Sequence, residues 1–272
     1  MFDVRAAIAE DLPRAAALSA AIGWNQVAAD WAFFLRHGDL RVLEDGAGEA
    51  LAASAALLPY GEALAWISMV LVRPDQRRRG LASALLRWAM DARPGRTLVL
   101  DATPAGRAVY GPLGFVDVFG LARWLLPKDL ARPPGIAVRP LAVADWPELL
   151  ALDAAAFGAD RVPLLRDFEK RLPRAAWVAP GGYVLARDGR LTPQIGPVVA
   201  QDAATALALV AAARAALAQP AVLDVPDHAT ALTQALSAQG GVLQRPFTRM
   251  AIGAMPAAQS GKNFVLAGPE FG

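Results

Sequence analysis

The feature that most constrains this chain is an internal repeat. Val4-Arg5-Ala6-Ala7-Ile8-Ala9-Glu10-Asp11-Leu12-Pro13 returns as Val138-Arg139-Pro140-Leu141-Ala142-Val143-Ala144-Asp145-Trp146-Pro147, at a constant offset of 134 residues without a gap. The register persists through Ala17/Ala151, Leu18/Leu152, Ala20/Ala154 and Ala21/Ala155. Alanine matches carry little weight in so alanine-rich a chain, but the shared Val-Arg, Asp and Pro do. A repeat of this period predicts two copies of one fold, and 272 residues accommodate two domains. Pro127, Pro133, Pro134 and Gly135 mark a break between the copies. The expected organisation is a first domain over 1–126, a linker over 127–135, and a second domain with a tail over 136–272.

Composition narrows the class. With 55% hydrophobic and 19% charged residues there is ample material for packed cores. No window reaches the ~18 consecutive apolar residues that a membrane span requires. Residues 1–5 lack a basic segment leading into an apolar run. The expectation is a soluble, cytoplasmic protein with no membrane partner. The pI of 9.3 suggests a nucleic-acid binder, yet the net charge is only +2. With no Cys and two His, few groups titrate near neutrality, so a small excess moves the pI far. Basic residues cluster only around 76–79, which argues against nucleic acid as the main partner. Absence of Cys removes disulfides, thiolate zinc sites and a cysteine nucleophile. His37 and His228 lack metal-ligand spacing, so no metal is expected, and no G-x-S-x-G elbow is present.

Apolar patterning predicts strands over 4–7, 41–44, 51–58, 66–72 and 97–100, and helices over 10–21, 28–35, 81–92 and 105–113. Asp11 is expected to cap the first helix, and Asp45-Gly46-Ala47-Gly48 to form a turn. Residues 115–126 read as a closing strand pair or one bent strand. The fold class is mixed α/β, with helices flanking a sheet in each domain.

One stretch concentrates chemistry. The apolar strand through Trp66, Ser68, Val70, Leu71 and Val72 passes Pro74 into a basic loop, Arg77-Arg78-Arg79-Gly80, and then a helix opening at Leu81-Ala82. Backbone N–H groups, a glycine and the partial positive charge of a helix N-terminus meet there, a combination suited to a phosphate. In the second copy the corresponding strand, 195–200, runs into Gln201-Asp202-Ala203-Ala204, with neither glycine nor arginine. It retains Leu223-Asp224 where the first copy has Leu100-Asp101, and has Leu236 where the first has Tyr110. One copy reads as active and the other as structural.

Val70-x-Val72-x-Pro74 followed by Arg77-x-x-Gly80-x-Ala82 resembles the acyl-CoA signature of the GNAT superfamily of N-acetyltransferases. Tyr110-Gly111-Pro112-Leu113-Gly114-Phe115 is similar to the ending of that family's domain. The resemblance spans about 4–126, and the duplication extends it to a tandem form with a degenerate second copy. It implies two domains, each a mostly antiparallel mixed sheet flanked by helices, with a splayed central strand pair. It also implies acetyl-CoA as co-substrate, its pyrophosphate on the amides of Arg77, Arg78, Arg79, Gly80, Leu81 and Ala82. The pantetheine arm would then pair with Val70, Leu71 and Val72, and Tyr110 would serve as general acid. Thr103 stands where the family often has Asn, and its hydroxyl would bond one pantetheine amide.

The implied reaction is direct transfer of an acetyl group to a primary amine of a small molecule, amino acid or peptide. The alternative is a non-catalytic acyl-CoA sensor or interaction module, in which Tyr110 merely packs on Phe115. For the base, Glu62, Asp101 and a water held by Ser68 remain open, Asp101 being equally suited to cap the helix at Ala105. Trp24, Trp31 and Trp66 either wall an acceptor pocket or fill the core. The tail, with Phe264, Leu266 and Phe271 among glycines, either packs back on the domains or meets another chain, which leaves a homodimer open.

Overall fold

The computed structural model describes residues 3–45 and 50–272; of the expected turn at 45–48, Gly46, Ala47 and Gly48 lie outside the described residues. The first half runs β1 (Arg5–Ala6), α1 (Leu12–Ala21), α2 (Ala28–His37), β2 (Asp39–Glu44), β3 (Leu51–Tyr60) and β4 (Leu64–Val72). It continues through α3 (Leu81–Ala92), β5 (Thr97–Ala102), α4 (Pro104–Tyr110) and β6 (Val116–Leu126). The second half is β7 (Arg139–Pro140), α5 (Trp146–Phe157), α6 (Val162–Arg171), β8 (Trp177–Ala179), β9 (Gly182–Arg187) and β10 (Gln194–Val199). Then come α7 (Ala203–Ala215), β11 (Ala221–Pro226), α8 (Thr230–Ala238) and β12 (Val242–Ile252). That order repeats the first half element for element. Only the short β13 (Asn263–Val265) is an addition. Residues 127–138 carry neither helix nor strand.

The repeated Val-Arg…Asp-x-Pro motif has a local cause. Asp11 is not the side-chain cap of α1. Its carboxylate reaches back to the amide of Ile8 (2.9 Å) and takes both terminal nitrogens of Arg5 (2.7 and 2.9 Å). Asp145 repeats this with the amide of Ala142 (2.8 Å) and Arg139 (2.6 Å twice). Each Asp therefore closes the turn before its helix and ties it to the preceding strand. The helix expected over 105–113 stops at Tyr110 and continues as a 3₁₀ turn, Gly111–Leu113. Pro112 has no N–H to donate and clashes with the carbonyl four residues back. Residues 116–126 form a single strand.

The strands join in one thirteen-stranded sheet, ordered β1-β2-β3-β4-β5-β12-β6-β11-β10-β9-β8-β7, with β13 added on β10. Among the described residues only β4–β5 and β10–β11 pair in parallel. The last strands of the halves are exchanged: β12 lies between β5 and β6, and β6 lies between β12 and β11. Each exchange carries a buried ion pair. Arg249 of β12 grips both carboxylate oxygens of Asp101 on β5 (2.8 and 2.9 Å), and Arg123 of β6 grips Asp224 on β11 (2.9 and 2.8 Å). The shared Leu-Asp strand ending is thereby explained: each Asp receives the guanidinium of the other half.

Alternation along β4 and β5 sends residues to opposite faces. Ala65, Ile67, Leu98 and Leu100 pack under Leu86 and Ala89 of α3. Trp66 and Val99 face the other side, where α1 and α2 of the first half meet α5 and α6 of the second. Residues 268–272 pack into that junction: Phe271 stacks on Phe34 (5.0 Å, 7°), Tyr60 donates to its carbonyl (2.8 Å), and Arg161 donates to that of Gly272 (2.8 Å). The tail packs back on both halves. No helix among the described residues is long and apolar enough to cross a membrane.

Candidate functional site

β4 and β5 pair only through Leu64–Thr97, Ala65–Leu98 and Trp66–Val99. Beyond Trp66 they diverge, because β4 bulges against β3: Ser68 pairs with Ala56 and Leu71 with Ser54, so Met69 and Val70 face the single Ala55. Met69 takes a positive φ of 52°, costly for a side-chain-bearing residue, and the buried hydroxyl of Ser54 fixes its carbonyl (2.9 Å). The edge of β4 facing β5 consequently has no strand partner over residues 67–72, which include Val70, Leu71 and Val72.

The loop after β4 is locked at its base. Arg73 pairs with Asp45 (2.9 Å) and Asp75 (2.7 Å) around the turn Pro74–Gln76. Arg78 (φ 61°) and Gly80 (φ 80°) are left-handed, which turns successive amides toward one side. Gly80 is the N-cap of α3 and offers no side-chain acceptor; the first intrahelical bond runs from Ala84 to its carbonyl (3.0 Å). The amides of Leu81, Ala82 and Ser83 are thus left for an external acceptor. Arg77, Arg78 and Arg79 are exposed, with no carboxylate partner among the described residues.

Tyr110 closes the far side of the splay. Its ring lies 6.2 Å from that of Phe115 and so tight on Gly106 that a Cβ there would sit 2.9 Å from it. Burial pushes its phenol up to about 12, so it holds its proton throughout the neutral range. Thr103, not Asp101, caps α4: its hydroxyl accepts from Gly106 (3.1 Å) and retains its own hydrogen to donate. Tyr110, Ser68, Met69, Val70, Asp101 and Trp24 share a cavity of about 30 Å³ with Pro269 and Glu270 of the tail.

The other expected residues fall into place around it. Asp101 is saturated by Arg249, and burial, opposed by that guanidinium, leaves its carboxyl above the usual carboxylate range. The second half keeps the equivalent Arg123–Asp224 pair without a tyrosine, so the Asp serves the strand exchange. Glu62 is exposed in the turn joining β3 to β4, away from the cavity. Trp31 is a core residue bonded to Ser19 (3.3 Å). Trp66 is also buried, its indole N–H held by Pro269 (3.0 Å) and its ring under Arg249 (4.6 Å).

The same wedge in the second half is filled. β10 and β11 pair only at Gln194–Val222, and β13 then pairs with Val198 and Val199 of β10, while Leu266 bridges to Asp224. Gly196 makes room: a Cβ there would lie 2.0 Å from the Leu266 carbonyl. The segment then runs on to the first half's cavity. Sequence reasoning did not name Glu270 there; only the apolar residues among the tail's glycines hinted that it would pack back.

Comparisons with known proteins agree with this architecture. Residues 33–117 and residues 149–264 each match a family model described as an acetyltransferase (GNAT) domain. The structure named "Putative Acetyltransferase from Pyrococcus horikoshii" is 19% identical and superposes with a TM-score of 0.82 over 99% of this chain and 95% of that one. A GCN5-related N-acetyltransferase from Sphaerobacter thermophilus gives 18% identity and a TM-score of 0.66, over 95% and 98% of the two chains. A tandem GNAT protein from the clavulanic acid biosynthesis pathway gives 18% and 0.62, over 93% and 98%. At these identities the likeness is one of fold. Among curated proteins, none matches this chain.

Proposed function

The chain belongs to the GNAT acetyltransferases and carries the domain twice in tandem; from that premise we propose that its first half transfers an acetyl group from acetyl-CoA to a primary amine. Members of the family use acetyl-CoA as co-substrate, and the residues around the splay fit it. The amides of residues 77–83 suit the pyrophosphate, with Arg77, Arg78 and Arg79 as a positive rim. The free edge of β4 at Val70, Leu71 and Val72 suits the pantetheine amides, with the Thr103 hydroxyl as a further donor. The observation that carries the reading is the wedge itself. It is open in the half that has Gly80, the arginines and Tyr110, and a strand fills it in the half that lacks them.

In the proposed step the amine nitrogen bonds to the thioester carbon as the C–S bond breaks. The ammonium proton leaves to solvent or a carboxylate, and the Tyr110 hydroxyl meets the departing thiolate. An alkylamine with a pKa near 10.4 must first lose a proton, at about 4–5 kcal/mol at pH 7. Holding both substrates in register contributes ~7–11 kcal/mol, more than that deprotonation requires.

The test is release of CoA when acetyl-CoA is offered with a panel of amines, alongside calorimetric titration of acetyl-CoA alone. Turnover with at least one amine is expected. Gly80→Glu is expected to weaken acetyl-CoA binding by at least about 100-fold while the melting temperature shifts by only a few degrees. Tight binding without turnover of any amine would leave a sensor instead of an enzyme, and retained affinity in Gly80→Glu would remove the loop as the phosphate site.

A further inference from the structure

Resting on that reading, we propose that the second half completes the acceptor site of the first, with Glu270 holding the ammonium head of a compact alkylamine. Ser68, 6% exposed, lines the cavity beside Tyr110, and its buried hydroxyl has no hydrogen-bond partner among the described residues. An unpaired buried hydroxyl at the point where β4 and β5 part calls for a ligand there. Two carboxylate residues border the same space, Asp101 and Glu270, and no Arg or Lys does. Their partners are not part of that lining: Arg249 grips Asp101, while Arg187 (3.1 Å) and the neutral amide of Gln26 hold Glu270. Each ion pair therefore presents its negative end to the cavity, a field that favours a cation and disfavours a second carboxylate.

Size narrows the ligand further. A cavity of about 30 Å³ admits little more than a nitrogen and its first carbon, so it takes the amino head and leaves the rest of the acceptor outside. An α-amino acid would bring its carboxylate against Asp101 and Glu270; a plain alkylamine would not. Of the two carboxylates, Glu270 is the one to test. Asp101 is committed to Arg249 and the strand exchange, whereas Glu270 lies on a segment that no sheet strand contains. Its position is fixed by the Trp66–Pro269 and Tyr60–Phe271 hydrogen bonds on either side. In this reading the strand β13 that closes the second half's wedge also delivers Glu270 to the first half. The degenerate copy is thereby a working part of the active one.

The experiment uses the full chain with CoA bound, titrated with ethylamine and with glycine by saturation-transfer NMR, and in parallel measures turnover with each amine. Saturable ethylamine binding is expected, with glycine at least about 100-fold weaker. Glu270→Gln should raise the KM for ethylamine at least about 10-fold while acetyl-CoA affinity and kcat stay within about threefold. Ser68→Ala should raise the same KM by a smaller factor. An unchanged KM in a folded Glu270→Gln protein that binds acetyl-CoA normally would overturn the proposal, as would equal use of glycine. If Glu270→Gln fails to fold, Ser68→Ala and the ethylamine–glycine comparison still decide it. Ethylamine binding without turnover would sink the catalytic reading and keep the subsite; turnover indifferent to Glu270 would do the reverse.

Discussion

At the scale of single residues, Tyr110 is where environment decides role. Its phenol, pushed up to about 12 by burial, holds its proton over the whole neutral range. A thiolate whose conjugate acid has a pKa near 8.5 takes that proton fully only against a gap of about 3–4 pK units, roughly 5 kcal/mol. In the proposed reaction the hydroxyl would therefore act chiefly as a hydrogen-bond donor to the thiolate as charge develops. Because the protonated phenol is the working form and its pKa is raised, activity should climb with pH as the amine deprotonates, with no fall due to Tyr110 below about pH 10. Tyr110→Phe should lower kcat by at least about 100-fold and leave acetyl-CoA affinity within about twofold. Initial rates from pH 6 to 10.5 check this. A descending limb near pH 9 that vanishes in the Phe variant, or equal losses in turnover and affinity, would remove the assignment. Asp101 teaches the converse. Its place at the end of a core strand suggested a base, but Arg249 holds both its oxygens. Removing one member of such a buried pair costs about 3–5 kcal/mol, so loss of activity in Asp101→Ala would report stability before it reported chemistry.

At the scale of elements, the informative contrast is between two wedges of the same ancestry. The order strand, loop, helix was legible from residues 66–82 because apolar alternation, Pro74 and Gly80 are local signals. The splay was expected only through the family resemblance; its local cause, a bulge at Met69 and Val70, shows only in the register against β3. In the second half the absence of glycine and arginine after the strand was plain in the sequence. That β13 occupies the vacated edge was not, since Asn263-Phe264-Val265 reads as unremarkable tail. A strand edge binds whatever extended chain fits it, and here the protein's own backbone takes the position that the first half leaves open. Calorimetry should therefore return one acetyl-CoA per chain. A stoichiometry of two would mean that β13 leaves its slot and that the second half is not degenerate.

At the scale of the whole molecule, the repeat boundary in the sequence does not divide the sheet. The linker expected over 127–135 separates the copies in sequence, but β12 sits between β5 and β6 and carries the Arg249–Asp101 pair. We read 1–126 and 136–272 as units of duplication and not of folding. Residues 1–126 alone would strip β6 of both strand neighbours and β5 of one, and leave Asp101 and Arg123 without partners. Expressed separately, each half should be unfolded or aggregated by circular dichroism and size exclusion, and co-expression should recover a folded pair. A monomeric first half with a cooperative thermal transition would overturn this.

The sequence by itself determined the duplication, the kind and order of the elements, and the basic glycine loop that only the first copy carries. Each of these rests on contacts within a few residues or on identity at a fixed offset, which a linear reading captures. Tertiary structure alone decided the exchange of β6 and β12, the filling of one wedge by β13, and the arrival of Glu270 beside Tyr110. Those depend on pairings between residues far apart in the chain, such as Val198 with Val265, Asp101 with Arg249 and Gln26 with Glu270. Hydrogen bonds and ion pairs of that range leave no periodicity in the sequence, because their partners are fixed only once the sheet has closed.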